Sequence, residues 1–517
     1  MAQEIELKLA LPEDAQRHFL RHPLLRQAVS KETYRLVNLY YDTPELELRQ
    51  RSMALRLRAQ GKLWLQTIKC AGSGAGGLSA RHEWENPYVG HFDFSVIDDE
   101  KVRDWLDRPK IKTHIAPVFE TNFNRVAWIL EPKVGTRVMM VLDRGWIAAG
   151  GRREAISEIE IELLQGDATQ LFSLARILAE SVPVAPAPLS KADRGYRLFK
   201  QEPMAPSKSG PITLSADDIP TEAFARIALS CIDHLQLNHQ GAVNSDDPEY
   251  IHQMRVATRR LRAALRLFSP LLPPRLVEPL LPQLRELMSV LGRARDLDVL
   301  LAEIAEPVLQ ALPDEPRLAA LVGIITDRRF DARKTALRFL RSPRHGSIVL
   351  QALDTLNAKI EPPKVDAGRT ATTVAEDTPF ALTLIDFATN RLRRLRKKVL
   401  QLATAASIDD PTSLHALRIS IKRLRYALEF FAPLAKPKAM RRLLLQLAQL
   451  QDTLGQINDL ANAGDLLMGC AKDDPRLREA VTLIGGWHGP RYQKLLKEVP
   501  LGLKRLGRLR LPTLGAN

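Results

Sequence analysis

Glu4, Glu6 and Lys8 stand at alternate positions near the start of the chain, with Ile5, Leu7 and Leu9 between them. A strand sends alternate side chains to opposite faces, so the three charges share one face. The pattern recurs. Arg56 and Arg58 alternate with Leu55 and Leu57, and Arg81, Glu83 and Glu85 with His82 and Trp84. Glu158, Glu160 and Glu162 alternate with Ile159, Ile161 and Leu163, while Lys69 and Asp143 end two further strand-like runs. A lone strand of this kind reads as one wet face of a sheet. Glu triplets and Arg pairs in phase, strand after strand, need a reason to coexist, because like charges at i and i+2 repel. Closing the sheet into a barrel supplies one: charged faces line a lumen and apolar faces pack outward. Clustered carboxylates suit Mg2+ or Mn2+, hard cations that prefer oxygen. Arginine and lysine beside them suit phosphate oxygens. Such a lumen suits a metal–polyphosphate complex and hydrolytic phosphoryl transfer. In that chemistry Lys8 would either orient the attacking water or assist the leaving group.

The elements that carry these residues change character along the chain. Up to about residue 200 the period is largely two; PMAPSKSGP (203–211) reads as a linker, and from about 220 the period is helical. The expected division is residues 1–200, a linker over 201–218, and a helical region over 219–517. The glycine-rich AGSGAGGLS (71–79) joins two strands and lacks a following Lys-Ser/Thr, so it reads as a hairpin loop rather than a phosphate loop.

A chain of 517 residues is too long for one core. Its net charge of +15 points to a polyanionic partner. That charge is uneven: 29 basic residues face 26 acidic ones up to residue 200, and 46 face 34 beyond it. The helical region therefore carries most of the polyanion signal. Three cysteines, Cys70, Cys231 and Cys470, make no disulfide framework, the charge at Glu4 leads us to expect no signal peptide, and no apolar run approaches the length of a membrane helix. The expected compartment is the cytoplasm.

The helical region repeats itself. HQMRVATRRLRAALRLF (252–268) matches HALRISIKRLRYALEFF (415–431), and LRELMSVLGRARDLDVLL (284–301) matches LAQLQDTLGQINDLANAG (447–464), both at an offset of 163. In the first copy His252, Arg255, Arg259, Arg262 and Arg266 step by three and four along one helix face. His415, Arg418, Lys422 and Arg425 form the shorter equivalent stripe, with Glu429 where Arg266 would be. Like charges at this spacing destabilise a helix, so their recurrence reads as anion binding. Single-strand nucleic-acid binders interleave aromatic residues for base stacking. These stripes have none between their basic residues, which favours a ligand with phosphates and no bases.

The ordered segments EIELK, NLYYDT (38–43), ALRLR (54–58), TIK (67–69), HEWE (82–85), LDRG (142–145), EIEIEL (158–163) and SKADRGY (190–196) resemble the CYTH domain of the triphosphate tunnel metalloenzymes. The resemblance implies an eight-stranded antiparallel β-barrel around a tunnel that binds triphosphate with a divalent metal, Mg2+ or Mn2+. It makes Glu4, Glu6, Asp143, Glu158 and Glu160 metal-side carboxylates. Lys8, Arg56, Arg58, Lys69, Arg125 and Lys191 look like phosphate ligands; Arg81 faces the same way and joins them. Lys8, Glu4 and Glu6 become the catalytic residues. HQMRVATRRLR and HALRISIKRLR resemble the CHAD domain, which implies two pseudosymmetric helical bundles with a basic, polyphosphate-binding surface and association with polyphosphate granules. Together these imply an inorganic triphosphatase with a polyphosphate-binding module. The alternatives are a thiamine triphosphatase, a class IV adenylate cyclase, or a polyphosphate-binding scaffold without activity.

Overall fold

The computed structural model describes residues 3–61, 63–70, 72–75, 77–357, 383–472 and 474–515. Within them the chain forms two compact units. Of the described residues, those in 3–207, 236–245 and 339–357 belong to one, and those in 208–235, 246–338 and 383–515 to the other.

The first unit is built on ten strands: β1 (Gln3–Ala10), β2 (Ser30–Asp42), β3 (Met53–Gln60), β4 (Leu63–Cys70), β5 (Ser73–Ala75), β6 (Leu78–Pro87), β7 (Ala116–Lys133), β8 (Thr136–Ala149), β9 (Arg152–Gln165) and β10 (Ala185–Pro186). Eight of them run in the antiparallel order β1-β9-β8-β7-β2-β3-β4-β6, and pairing of β6 back to β1 closes the barrel. Closure leaves neither edge of the eight-strand sheet open. The period of two then divides the residues. Leu7, Leu9, Leu55, Leu57, Ile159 and Ile161 point outward and are buried. Leu55 and Ile68 pack with Phe94, Ile97, Trp105 and Leu106 from the connection that covers this wall. Inward, the register sets Glu6 opposite Glu162, Lys8 opposite Glu160, Asp143 opposite Glu158, and Arg125 opposite Asp143.

The helix Lys191–Phe199 packs on β7, β8 and β9. Ser190 starts it with a capping box: its Oγ accepts from the Asp193 N–H at 3.1 Å, and Asp193 Oδ2 accepts from the Ser190 N–H at 2.9 Å. Such caps contribute about 1 kcal/mol. A Cβ at Gly195 would lie 2.2 Å from the Phe119 ring, so only glycine lets the helix approach this closely. Tyr196 packs edge-on against Phe119 and donates to Asp42 Oδ2 at 2.8 Å. The helix thereby holds Lys191 at the lumen.

The second unit is helical, and its elements repeat with the sequence. Asp247 caps a helix at Pro248–Leu267, and Asp410 caps one at Pro411–Phe430, each with proline in its first turn. Short 3-10 turns follow at Ser269–Leu271 and Ala432–Leu434, then helices start at Pro274 and Pro437. Every one of these starts is 163 residues from its counterpart. The apolar face of the first stripe helix (Met254, Ala257, Leu261, Leu265) is buried, and Phe268 stacks on Phe387 at 4.9 Å and tilts against Phe431 at 5.9 Å. All three cysteines are free, and no described helix is long and apolar enough to cross a membrane.

Candidate active site and anion cavity

The lumen of the barrel holds its charges in two groups. In the first, Asp143 is completely buried and accepts from Nε and Nη2 of Arg125, both at 2.7 Å. Lys191 Nζ lies 2.6 Å from Asp143, 3.0 Å from Glu160, and in contact with Glu158. Arg125 also reaches Glu160 at 2.7 Å. One oxygen from each of Asp143, Glu158 and Glu160 lies within 4.8 Å of the others, a spacing that suits a cation, and the Lys191 ammonium contacts all three residues. Burial works against the charge on Glu160, but Lys191, Lys8 and Arg125 outweigh it and hold its pKa well below the usual carboxylate range.

The second group is less balanced. Glu4 accepts from Lys69 at 2.6 and 2.9 Å, Lys69 lies 3.0 Å from Glu83, and Arg56 lies 3.2 Å from Glu83. Glu6 accepts from Ser79 Oγ at 3.1 Å. Lys8 lies 3.8 Å from Glu6 and 3.5 Å from Glu160, and these carboxylates outweigh burial to raise its pKa. Glu162 is different. Burial, then Glu4, with smaller contributions from Glu6 and Glu160, push its pKa up to about 7 against the pull of Lys69. Arg58 shows the converse: burial, then Arg56 and Arg125, lower it to about 10, while its Nε donates to Asn38 at 3.2 Å. Arg81 sits opposite Glu4 in the register, half-buried on the same face.

The sequence reading left out Arg194. Its Nη1 donates to Glu158 at 3.2 Å and its Nε to Glu154 at 2.7 Å, so it fixes the carboxylate that Lys191 also touches. Arg194 lies three residues after Lys191 on one helix face, and that spacing was the available signal.

In the helical unit a cavity of about 580 Å3 is lined by His252, Arg255, Arg259, Arg418 and Lys422. Arg295, Gln451, Asp452 and Asn458 join them, none marked by the stripe pattern. Its two sides are related by the repeat. Arg255 lies 3.6 Å from Asp296, and its counterpart Arg418 lies 3.8 Å from Asp459. Arg259 corresponds to Lys422. Burial, then Arg259 and Arg418, push the Lys422 ammonium down to about 7. Burial, then Arg295, lower His252. A π-helical stretch at Leu300–Ala305 brings Leu300, Glu303 and Ile304 into the wall. The remaining stripe residues lie elsewhere. His415 is exposed and 2.5 Å from Asn458, Arg425 pairs with Glu429 at 3.1 Å, and Arg262 and Arg266 do not line the cavity.

Residues 2–196 match the CYTH domain and residues 226–468 match the CHAD domain. An inorganic triphosphatase of Haemophilus influenzae is 30% identical over 203 residues, which cover 39% of this chain and 56% of that protein, so this chain aligns with only about half of that relative's length. An uncharacterised protein of Mycobacterium tuberculosis is 26% identical over 76% of this chain and 75% of its own length. The crystal structure of a CHAD domain from the plant Ricinus communis is 33% identical, covers 60% of this chain and 99% of that one, and superposes with a TM-score of 0.49.

Proposed function

We propose that this chain, a CYTH domain followed by a CHAD domain, is a metal-dependent inorganic triphosphatase whose helical unit binds polyphosphate. The observation that carries the reading is an opposition across the lumen. Strand β9, with Glu162, lies four strands from β3, with Arg58, on the far side of the closed eight-strand order. Burial and then neighbouring carboxylates raise the Glu162 pKa, and burial and then neighbouring arginines lower that of Arg58. A divalent cation relieves the first and a phosphate chain relieves the second.

The donor set is all hard oxygen and fits Mg2+ or Mn2+. Glu4, Glu6, Glu160 and Glu162 would hold the cation, drawn by the charge crowding that raises the Glu162 pKa. Asp143 and Glu158, tied to Arg125, Lys191 and Arg194, would rather fix the phosphate-binding cations in place. When bound, the cation supplies charge neutralisation to the phosphate oxygens. The chain's own residues do the rest. Arg56, Arg58, Lys69 and Arg125 grip phosphate oxygens and align the chain for in-line displacement. Lys8, kept charged by Glu6 and Glu160, donates to the attacking water or the departing pyrophosphate. The helix Lys191–Phe199 holds Lys191 in contact with the carboxylates of β8 and β9.

In the helical unit the His252–Lys422 cavity is the polyphosphate site. Its lining has no Phe, Tyr or Trp ring on which a base could stack, and its cations repel one another until an anion arrives. Phosphate release from inorganic triphosphate, thiamine triphosphate, ATP and long-chain polyphosphate, with Mg2+ or Mn2+, tests the activity. Fast metal-dependent turnover of triphosphate above the others is expected. Preferential turnover of thiamine triphosphate, or cyclisation of ATP, would replace the substrate assignment.

A further inference from the structure

The internal repeat supplies its own control for one group of arginines outside the cavity. At the offset of 163, Arg262 corresponds to Arg425, Arg266 to Glu429, and Arg260 to Arg423. Around Glu429 an acid offsets part of the basic charge: it accepts from Arg260 Nη1 at 2.6 Å and lies 3.1 Å from Arg425 Nε. At the related place the acid is replaced by Arg266, and the charged groups that act on it are Arg423 and Arg285. Those that act on Arg262 are Arg266 and Arg285. Arg285 itself stands where the second copy has Ala448. Arg391 joins from another helix, donating from Nη2 to the Arg266 carbonyl at 3.2 Å. The Nε–H groups of Arg262 and Arg391 are buried and have no acceptor among the described residues.

Burial and mutual repulsion lower the pKa of Arg262 and Arg266 alike. The fold does not require this, because its second copy solves the same packing with a glutamate. Arg266, Arg285 and Arg423 are exposed, so an anion can reach them. Arg255 and Arg259, which line the cavity, precede Arg262 and Arg266 on the same stripe, and seven residues of helix from Arg259 to Arg266 rise about 10 Å. A single extended phosphate chain can therefore meet both.

We infer that Arg262, Arg266, Arg285, Arg391 and Arg423 form a second anion site, which takes the part of a polyphosphate chain extending beyond the cavity. The inference rests on the polyphosphate reading of the helical unit. It assigns the outer half of the first stripe to chain length: the cavity binds a short run of phosphates, and the arginine cluster adds contacts that only longer chains can make. None of the five offers an aromatic ring, the usual platform for a base, which favours a phosphate chain over a nucleic acid.

The test is Arg266→Glu, which recreates at this position the charge pattern that the second copy already accommodates. Affinity for long-chain polyphosphate, for a short oligophosphate and for single-stranded DNA is measured on the full chain at several salt concentrations, beside wild type and Arg259→Ala. Circular dichroism and thermal unfolding check the fold. The expected result is a loss of about tenfold or more for the long chain, a shallower dependence of affinity on salt, and short-chain affinity within about twofold of wild type. Unchanged long-chain affinity and salt slope in Arg266→Glu, while Arg259→Ala binds weakly, overturns the second site and leaves the cavity standing. Loss of DNA affinity alone overturns it in favour of nucleic acid. Failure of wild type itself to bind polyphosphate overturns both this site and the reading on which it rests.

Discussion

Lys191 places its ammonium 2.6 Å from Oδ2 of Asp143, a carboxylate with no exposure to solvent. The same nitrogen serves Glu158 and Glu160, so one lysine holds three acids together. Removing one partner of a buried ion pair typically costs about 3–5 kcal/mol, because the other is left uncompensated. Lys191→Met is therefore expected to lose stability of that order in urea unfolding at pH 7. The sign of its pH dependence follows from Glu160, whose folded pKa is depressed by burial-opposing contacts with Lys191, Lys8 and Arg125. That depression stabilises the wild type above the ordinary carboxylate range and is lost as pH falls through the folded value. The deficit of the variant should thus shrink on acidification.

Glu162 gives the opposite sign. Its folded pKa is raised to about 7, so between the ordinary glutamate range and 7 the folded state holds a proton that the unfolded state has released. Stability of the metal-free protein should fall as pH rises through that window. A cation bound at Glu162 must displace the proton, so Mg2+ affinity should weaken about tenfold per unit below pH 7. Calorimetric titration in buffers of different ionisation enthalpy would register the released proton. In Glu162→Gln that proton release should vanish.

Lys422 predicts a pH dependence in the other unit. Its pKa is pushed down to about 7, so it loses charge above neutrality. An anion in the cavity favours the charged form, and polyphosphate binding should therefore take up a proton and weaken as pH rises from 7 to 9. Lys422→Arg keeps its charge throughout that range and should flatten the profile. Equal slopes in the two proteins would remove Lys422 from the binding site.

Gly195→Ala tests the helix that carries Lys191. A Cβ there would meet the Phe119 ring at 2.2 Å, and overpacking of this kind costs about 1–3 kcal/mol. The helix must shift to relieve the clash, which draws Lys191 away from Asp143. Turnover should fall more than tenfold, with the barrel still folded by circular dichroism.

The alternation of charge made the barrel legible. EIELKL, ALRLR and EIEIEL each carry one apolar and one charged face, and closure of β6 on β1 turns the charged faces inward. The repeat was legible for a related reason: a helix pattern that returns after 163 residues returns as the same helix with the same aspartate cap. Partnerships between side chains were not. Arg260 and Arg262 look alike in RRLR, yet one is neutralised by Glu429 across the repeat and the other is not. Likewise nothing in the spacing says that Glu160 is tied to Lys191 while Glu162 feels only the weaker pull of Lys69. Those differences depend on contacts made by residues distant in sequence, and periodicity carries no information about them.

The most direct test of the account is phosphate release from inorganic triphosphate as a function of Mg2+ concentration, for wild type, Glu4→Gln and Glu162→Gln. The account places both carboxylates on the cation, so each variant should need far more Mg2+ to reach half-maximal rate and should turn over at least a hundredfold more slowly at low Mg2+. Rates and Mg2+ dependence like those of wild type in both variants would contradict it, and the lumen charges would then be an internal ion-pair network.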